Sequence, residues 1–204
     1  MNYEEFMALA RSRRSIRRFT ARRVDRGKIE QLIEAACCAP SNHNRQGWKF
    51  IVFDDAKEIR GLAERSRRCV EAALRETRGA AARMSELIHF AGAFEHAPVV
   101  ILVMHKQSPA VGKSILTQAT SGLASGEAIS AAMACQNLLL AAHAMGLAAC
   151  PMTAPLLAGD VWQGVEGLPA GFTPTCLIAV GYADESASAP KRKKLEHVLE
   201  YRNS

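Results

Sequence analysis

The sequence predicts an α+β domain built around a modest sheet, and three observations carry that prediction. Short apolar runs of strand type stand far apart, at 48–53, 97–104 and 175–182. The chain between them carries helix-type spacing with caps rather than alternation. No linker or internal repeat divides residues 1–204, so one domain is expected, burying roughly 70% of the surface its unfolded chain exposes.

The elements follow in order. Asn2 and Glu5 have capping-box spacing, so a helix is expected over 2–12 with Phe6, Leu9 and Ala10 on one face. The stretch RSRRSIRRF, 11–19, follows where that helix ends. Asp25 can cap a second helix that places Ile29, Leu32, Ile33 and Ala36 together, and Pro40 limits its end. WKFIVF, 48–53, reads as a buried strand. Asp55 and Glu58 start further helix over about 56–90, and APVVILVM, 97–104, reads as the second strand. Residues 106–126 are rich in Ser, Gly and Thr and read as a long loop, a kind usually functional or mobile. A long alanine-rich helix is expected over 127–145, ending at Gly146, and TCLIAVGY, 175–182, is the last strand.

Composition narrows the function. The chain is 49% hydrophobic and 23% charged, an ordinary globular balance. The start carries two glutamates and no apolar h-region, so no signal peptide is expected. The longest apolar run, 128–150, is broken by Gln136, Asn137 and His143 and reads as a core helix rather than a membrane span. A soluble, cytoplasmic protein is expected. The six cysteines lack metal-ligand spacing and read as small apolar residues in a reducing compartment. A net charge of +6 points to an anionic ligand or partner.

Several chemistries are unsupported. VGKS, 111–114, is not a P-loop, because Gln107 stands where the motif needs glycine. There is no G-x-G-x-x-G, no H-E-x-x-H and no G-x-S-x-G. A basic nucleic-acid binder using RSRRSIRR and KRKK is the rival from another class. It would need affinity that falls steeply with salt, and the chain has few aromatics for base stacking. APSNHNRQGWKFIV, 39–52, is the second informative stretch. It sets hydroxyls and amides between a helix end and a strand, where they offer paired donors and acceptors.

Taken in order, RRSIRRF, APSNHNRQGWKFIV, APVVILV, QNLLLAAHAMGLAACPM and LIAVGY before a basic tail resemble the FMN-dependent nitroreductase family, from about Arg13 to about Leu199. The resemblance implies a central antiparallel sheet surrounded by helices. It implies an interlocked homodimer with FMN in each interface cleft, and the helix at 127–145 at the dimer core. Arg13, Ser15 and Arg17 would grip the flavin phosphate and ribityl chain, with Arg14 beside the ring; guanidinium forks suit a phosphate. Lys191 and Arg192 of PKRKKLE would join the same phosphate. Pro40, Ser41, Asn42 and Asn44 would reach the flavin from the other subunit, with Gln46 and Trp48 in support.

In CPMTAP, the resemblance lays the backbone of Pro151, Met152, Thr153 and Ala154 over the flavin's reactive N5. Thr153 and Ala154 replace a common Glu-Gly. No side chain acts as nucleophile: flavin N5 does the chemistry, with the backbone of Thr153 and Ala154 beside it. The implied reaction is ping-pong, with NADH or NADPH reducing FMN and a nitroaromatic, quinone or similar small molecule reoxidising it. The family also holds flavin-fragmenting enzymes, reductive dehalogenases and dehydrogenases. Such a specialised member is the alternative, along with a non-catalytic flavin-binding protein. Neither a nucleic acid nor a membrane is an implied partner.

Overall fold

The computed structural model describes residues 2–75, 81–106 and 125–202. The chain opens with α1 (Tyr3–Ser12), whose Asn2 and Glu5 form the expected capping box. Next comes α2 (Arg26–Cys37), where the Asp25 carboxylate accepts the Gly27 N–H at 2.9 Å. β1 (Trp48–Phe53), α3 (Ala56–Arg75), α4 (Ala81–Ala91) and β2 (Val99–Lys106) follow. The second half holds α5 (Gly126–Ala144), β3 (Ala148–Met152), α6 (Gly159–Gln163) and β4 (Phe172–Gly181).

The four strands form one antiparallel sheet in the order β1-β2-β4-β3. The central strands β2 and β4 supply the fully buried runs, and alternation along β2 divides the core in two. Val99, Ile101 and Val103 pack with Leu32 and Ala36 of α2 and with Ala131, Ala134 and Leu138 of α5. Val100, Leu102 and Met104 pack on the other face with Ile59 and Leu62 of α3, Phe94 and Trp162. Helices therefore cover both faces, as the sequence predicts. Pro174 cannot donate to the ladder, and it sits where the β2–β4 register shifts between Val103 and Met104.

Two strand readings change. β1 reads from sequence as buried, but it is an edge strand whose Lys49 and Val52 are exposed. A continuous apolar run does not reveal which strand lacks a neighbour. β3 went unread because its five residues, one of them Pro151, merge in sequence with the apolar helix before them. The break is Gly146, at φ 71°. The Gly146 N–H donates to His143 O at 3.1 Å and the Leu147 N–H to Ala142 O at 2.8 Å, a Schellman end that turns the chain into β3. The short helices Ala154–Leu157 and α6 were also unread. VGKS and most of the long loop fall outside the described residues.

Candidate functional site

The arginine stretch leaves α1 as an extended segment threaded between β3 and the chain after β4. Ser15 bridges Ala149 in parallel, and the Ile16 N–H donates to Ala149 O at 3.2 Å. Phe19 bridges Ala183, and the Thr20 N–H reaches Tyr182 O at 2.9 Å. Ile16 and Phe19 are buried anchors, so the residues between and before them face a rim.

Here the arginines separate by role. Arg13, Ser15 and Arg17 all act on the Cys150 thiol, and the Arg17 guanidinium lies 5.5 Å from the Phe90 ring centroid. Burial pushes that thiol up, while Arg17, Ser15 and Arg13 oppose the rise. Arg13 Nη1 is buried without a hydrogen-bond partner among the described residues. A buried, unpaired cationic nitrogen is costly, so its position fits an anion that completes it. Arg14 turns back on its own backbone, donating to Arg11 O and Arg13 O at 2.6 Å each. Arg13 and Arg14 line a cleft of about 360 Å³ with Ser12, His143 and Glu185. Ser12 Oγ lies 2.8 Å from His143 Nε2 at the C-terminal end of α5. Arg22 is exposed, with its guanidinium 4.0 Å from the Tyr182 ring centroid.

The polar stretch folds as a strained loop. His43, Asn44 and Gln46 all adopt left-handed φ, near 50°, without being glycine. Such residues cost of order 1–3 kcal/mol each and persist where surroundings impose them. The Gln46 N–H donates to Ser41 Oγ at 3.0 Å and the Asn44 N–H to Ser41 O at 2.9 Å. The Asn42 N–H donates to Ser130 Oγ at 3.0 Å, tying the loop to the N-terminal part of α5. Gly126 permits this approach, since a Cβ there would meet Asn42 Nδ2 at 2.8 Å. Arg45 adds an ion pair at 3.5 Å to the buried Glu127. Pro40 is exposed and Trp48 is core.

At the exit of β3, Pro151 and Thr153 are exposed, Ala154 is half-buried and Met152 is buried. The Cys176 thiol points at Met152 O, 3.8 Å away. Lys191 and Arg192 lie on an exposed tail.

The structure thus brings Arg13, Ser15 and Arg17 together beside β3. It does not bring Asn42 and Asn44 to them within one subunit. The loop is anchored at Ser130 and the arginine segment at His143, thirteen residues along α5. At 1.5 Å per residue that is about 20 Å. Sequence reasoning missed Glu185, Glu127, Ser130 and Gly126. Their contacts to the site span 82 to 168 residues, so no local spacing announces them.

A sheet sandwiched by helices, with an arginine segment laid along its β3 edge, is the nitroreductase fold. The Nitroreductase family model matches residues 10–182, and the chain belongs to that family. It is similar to an NADH dehydrogenase of Thermus thermophilus, 29% identical over 95% of this chain and 94% of the relative. It is also similar to iodotyrosine deiodinase 1 of Mus musculus, 28% identical over 98% of this chain and 70% of the relative. A nitroreductase with bound FMN from Desulfitobacterium hafniense shares the fold at a TM-score of 0.73 and 24% identity, covering both chains fully.

Proposed function

We propose that the protein is an FMN-dependent NAD(P)H oxidoreductase acting as a homodimer on a small-molecule acceptor. The observation that carries this is the convergence of Arg13, Ser15 and Arg17 beside β3, with a buried Arg13 guanidinium nitrogen unpaired among the described residues. When bound, FMN supplies two-electron transfer from NADH or NADPH to a nitroaromatic, quinone or similar acceptor. Arg13 and Arg17 hold the phosphate through charge-assisted bonds, and Ser15 adds a hydroxyl to the ribityl chain. Arg14 steadies the segment from its own backbone. The backbone of Pro151, Met152, Thr153 and Ala154 lines the reactive edge. Lys191 and Arg192 add positive charge from the tail.

The dimer reading rests on two features. The roughly 20 Å along α5 between the loop and the arginines supports the reading that Pro40, Ser41, Asn42 and Asn44 serve a second copy's flavin rather than their own. α5 also exposes Ile129 and Met133, 45% and 44% accessible, on the face opposite the core, where a second copy covers them.

The deiodinase relative keeps reductive dehalogenation as the second reading. One experiment tests both: the visible spectrum of the purified protein, recorded anaerobically before and after NADPH or NADH, then with a nitroaromatic, a quinone or iodotyrosine. A flavin band that a nicotinamide bleaches and a nitroaromatic or quinone restores supports the first reading. Restoration by iodotyrosine alone favours the second. A protein that takes up no FMN refutes both.

A further inference from the structure

We infer that Glu185 is the positioning residue of the arginine clamp: its carboxylate fixes the backbone of Arg17 and Arg18 and so sets where the cations at 13–17 meet a phosphate. The inference rests on the FMN reading and adds a residue to it.

The geometry is specific. Arg17 and Arg18 lie between the buried anchors Ile16 and Phe19, on the exposed part of the segment. The N–H of Ile16 is taken by β3, through Ala149 O. The next two are taken by one side-chain oxygen: Glu185 Oε1 accepts the Arg17 N–H at 2.6 Å and the Arg18 N–H at 3.1 Å. The contact spans 168 residues, so it fastens the start of the chain to its end. Backbone bonds reinforce it, from Asp184 N–H to Arg18 O and from Thr20 N–H to Tyr182 O, both 2.9 Å.

The choice of donor matters. A carboxylate in a cluster of arginines ordinarily pairs with guanidinium forks and would compete with an incoming phosphate. Glu185 is spent on backbone N–H groups instead. Among the described residues it forms no ion pair with Arg13, Arg14 or Arg17, although it lines the same cleft as the first two. The backbone of the clamp is therefore oriented by an anion that ion-pairs with none of these three guanidinium groups, and the Arg17 guanidinium lies 5.5 Å from the Phe90 ring centroid. The same segment leads six residues on to Lys191, so Glu185 also joins the two stretches assigned to the phosphate.

The test compares two ligands that differ only in the phosphate. Apo wild type, Glu185→Ala, Glu185→Asp and Glu185→Gln are titrated with FMN and with riboflavin by flavin fluorescence, alongside melting curves. Glu185→Ala weakens FMN by at least about tenfold, the loss expected for one hydrogen bond to a charged group, while riboflavin changes far less. Glu185→Gln keeps an acceptor oxygen and recovers most of the FMN affinity. Should Glu185→Ala not fold, Glu185→Asp decides, since one methylene less withdraws the acceptor. Equal weakening of FMN and riboflavin marks a merely structural role and overturns the inference, as does unchanged FMN affinity in the folded variants. Wild type that binds no FMN overturns the flavin reading itself, and this inference with it.

Discussion

Replacing Arg13 by methionine separates the cost of a preorganised cation from its use. Among the described residues Arg13 Nη1 is buried with no partner, although the residue as a whole is only half-buried. An unsatisfied buried donor costs about 1–3 kcal/mol, more when charged. Methionine keeps the stem length and flexible packing without the donor. The FMN-free variant should therefore be more stable than wild type, by about 1 kcal/mol or more after some loss of packing. For a chain of this size 1 kcal/mol is about 2–4 °C in melting temperature. FMN affinity should move the other way, by about tenfold to a hundredfold for one or two charge-assisted bonds to phosphate. Scanning calorimetry of the FMN-free proteins and fluorescence titration with FMN read the two effects separately. A variant that melts lower than wild type yet binds FMN equally well would refute both the orphaned-cation argument and the phosphate assignment.

Three further outcomes follow from particular contacts. Gly146→Ala places a Cβ at φ 71° with open space around it, so the cost is backbone strain alone, about 1 kcal/mol; calorimetry should show a small drop with FMN affinity intact. Ile129→Glu combined with Met133→Glu puts charge on the exposed face of α5, so sedimentation should show a folded monomer that retains little FMN, and an intact dimer would refute the proposed interface. At Glu95, burial pushes the carboxyl up, but the hydrogen bond and charge of Arg67, with His96, outweigh it and hold the group below its ordinary 4.5; at Glu185 the Arg17 N–H leads the same downward shift. A carboxyl lowered in the folded state stabilises above its unfolded value, and that contribution is lost as pH falls through the folded one. Melting temperatures should therefore fall on acidification below about pH 4.5, less steeply in Glu95→Gln.

Local chemistry was legible in the sequence and long-range partnership was not. Asn2, Asp25 and Asp55 announce their helices because a cap and its N–H groups lie within three residues. β1 and β2 were readable because β-rich apolar runs are bounded by turns, yet the edge position of β1 depends on which strands find each other. β3 was hidden because the signal that ends α5 is a single left-handed glycine, and nothing in five residues containing a proline asserts a strand. The arginines and the polar loop were visible as unusual composition. The sequence could not say that Arg14 would bond its own backbone, that Arg22 would sit over the Tyr182 ring, or that Glu185 would reach back 168 residues to the clamp.

That division among the arginines also bears on the nucleic-acid rival. A phosphate backbone is held by a row of accessible cations, each releasing counterions, with affinity that tracks their number. In the stretch at 11–18, Arg11, Arg17 and Arg18 are exposed, and Arg13 and Arg14 are drawn in. Arg13 is half-buried, with one guanidinium nitrogen enclosed. Arg14 has donors committed to two carbonyls, and the backbone of Arg17 and Arg18 is held by a carboxylate. Just beyond the stretch, the Arg22 guanidinium sits over the Tyr182 ring. Enclosure, fixed direction and a neighbouring hydroxyl suit one compact phosphate approached from a cleft. The cation count suggests many contacts, but the geometry supports a few strong ones, and that asymmetry is what a tightly held flavin phosphate needs.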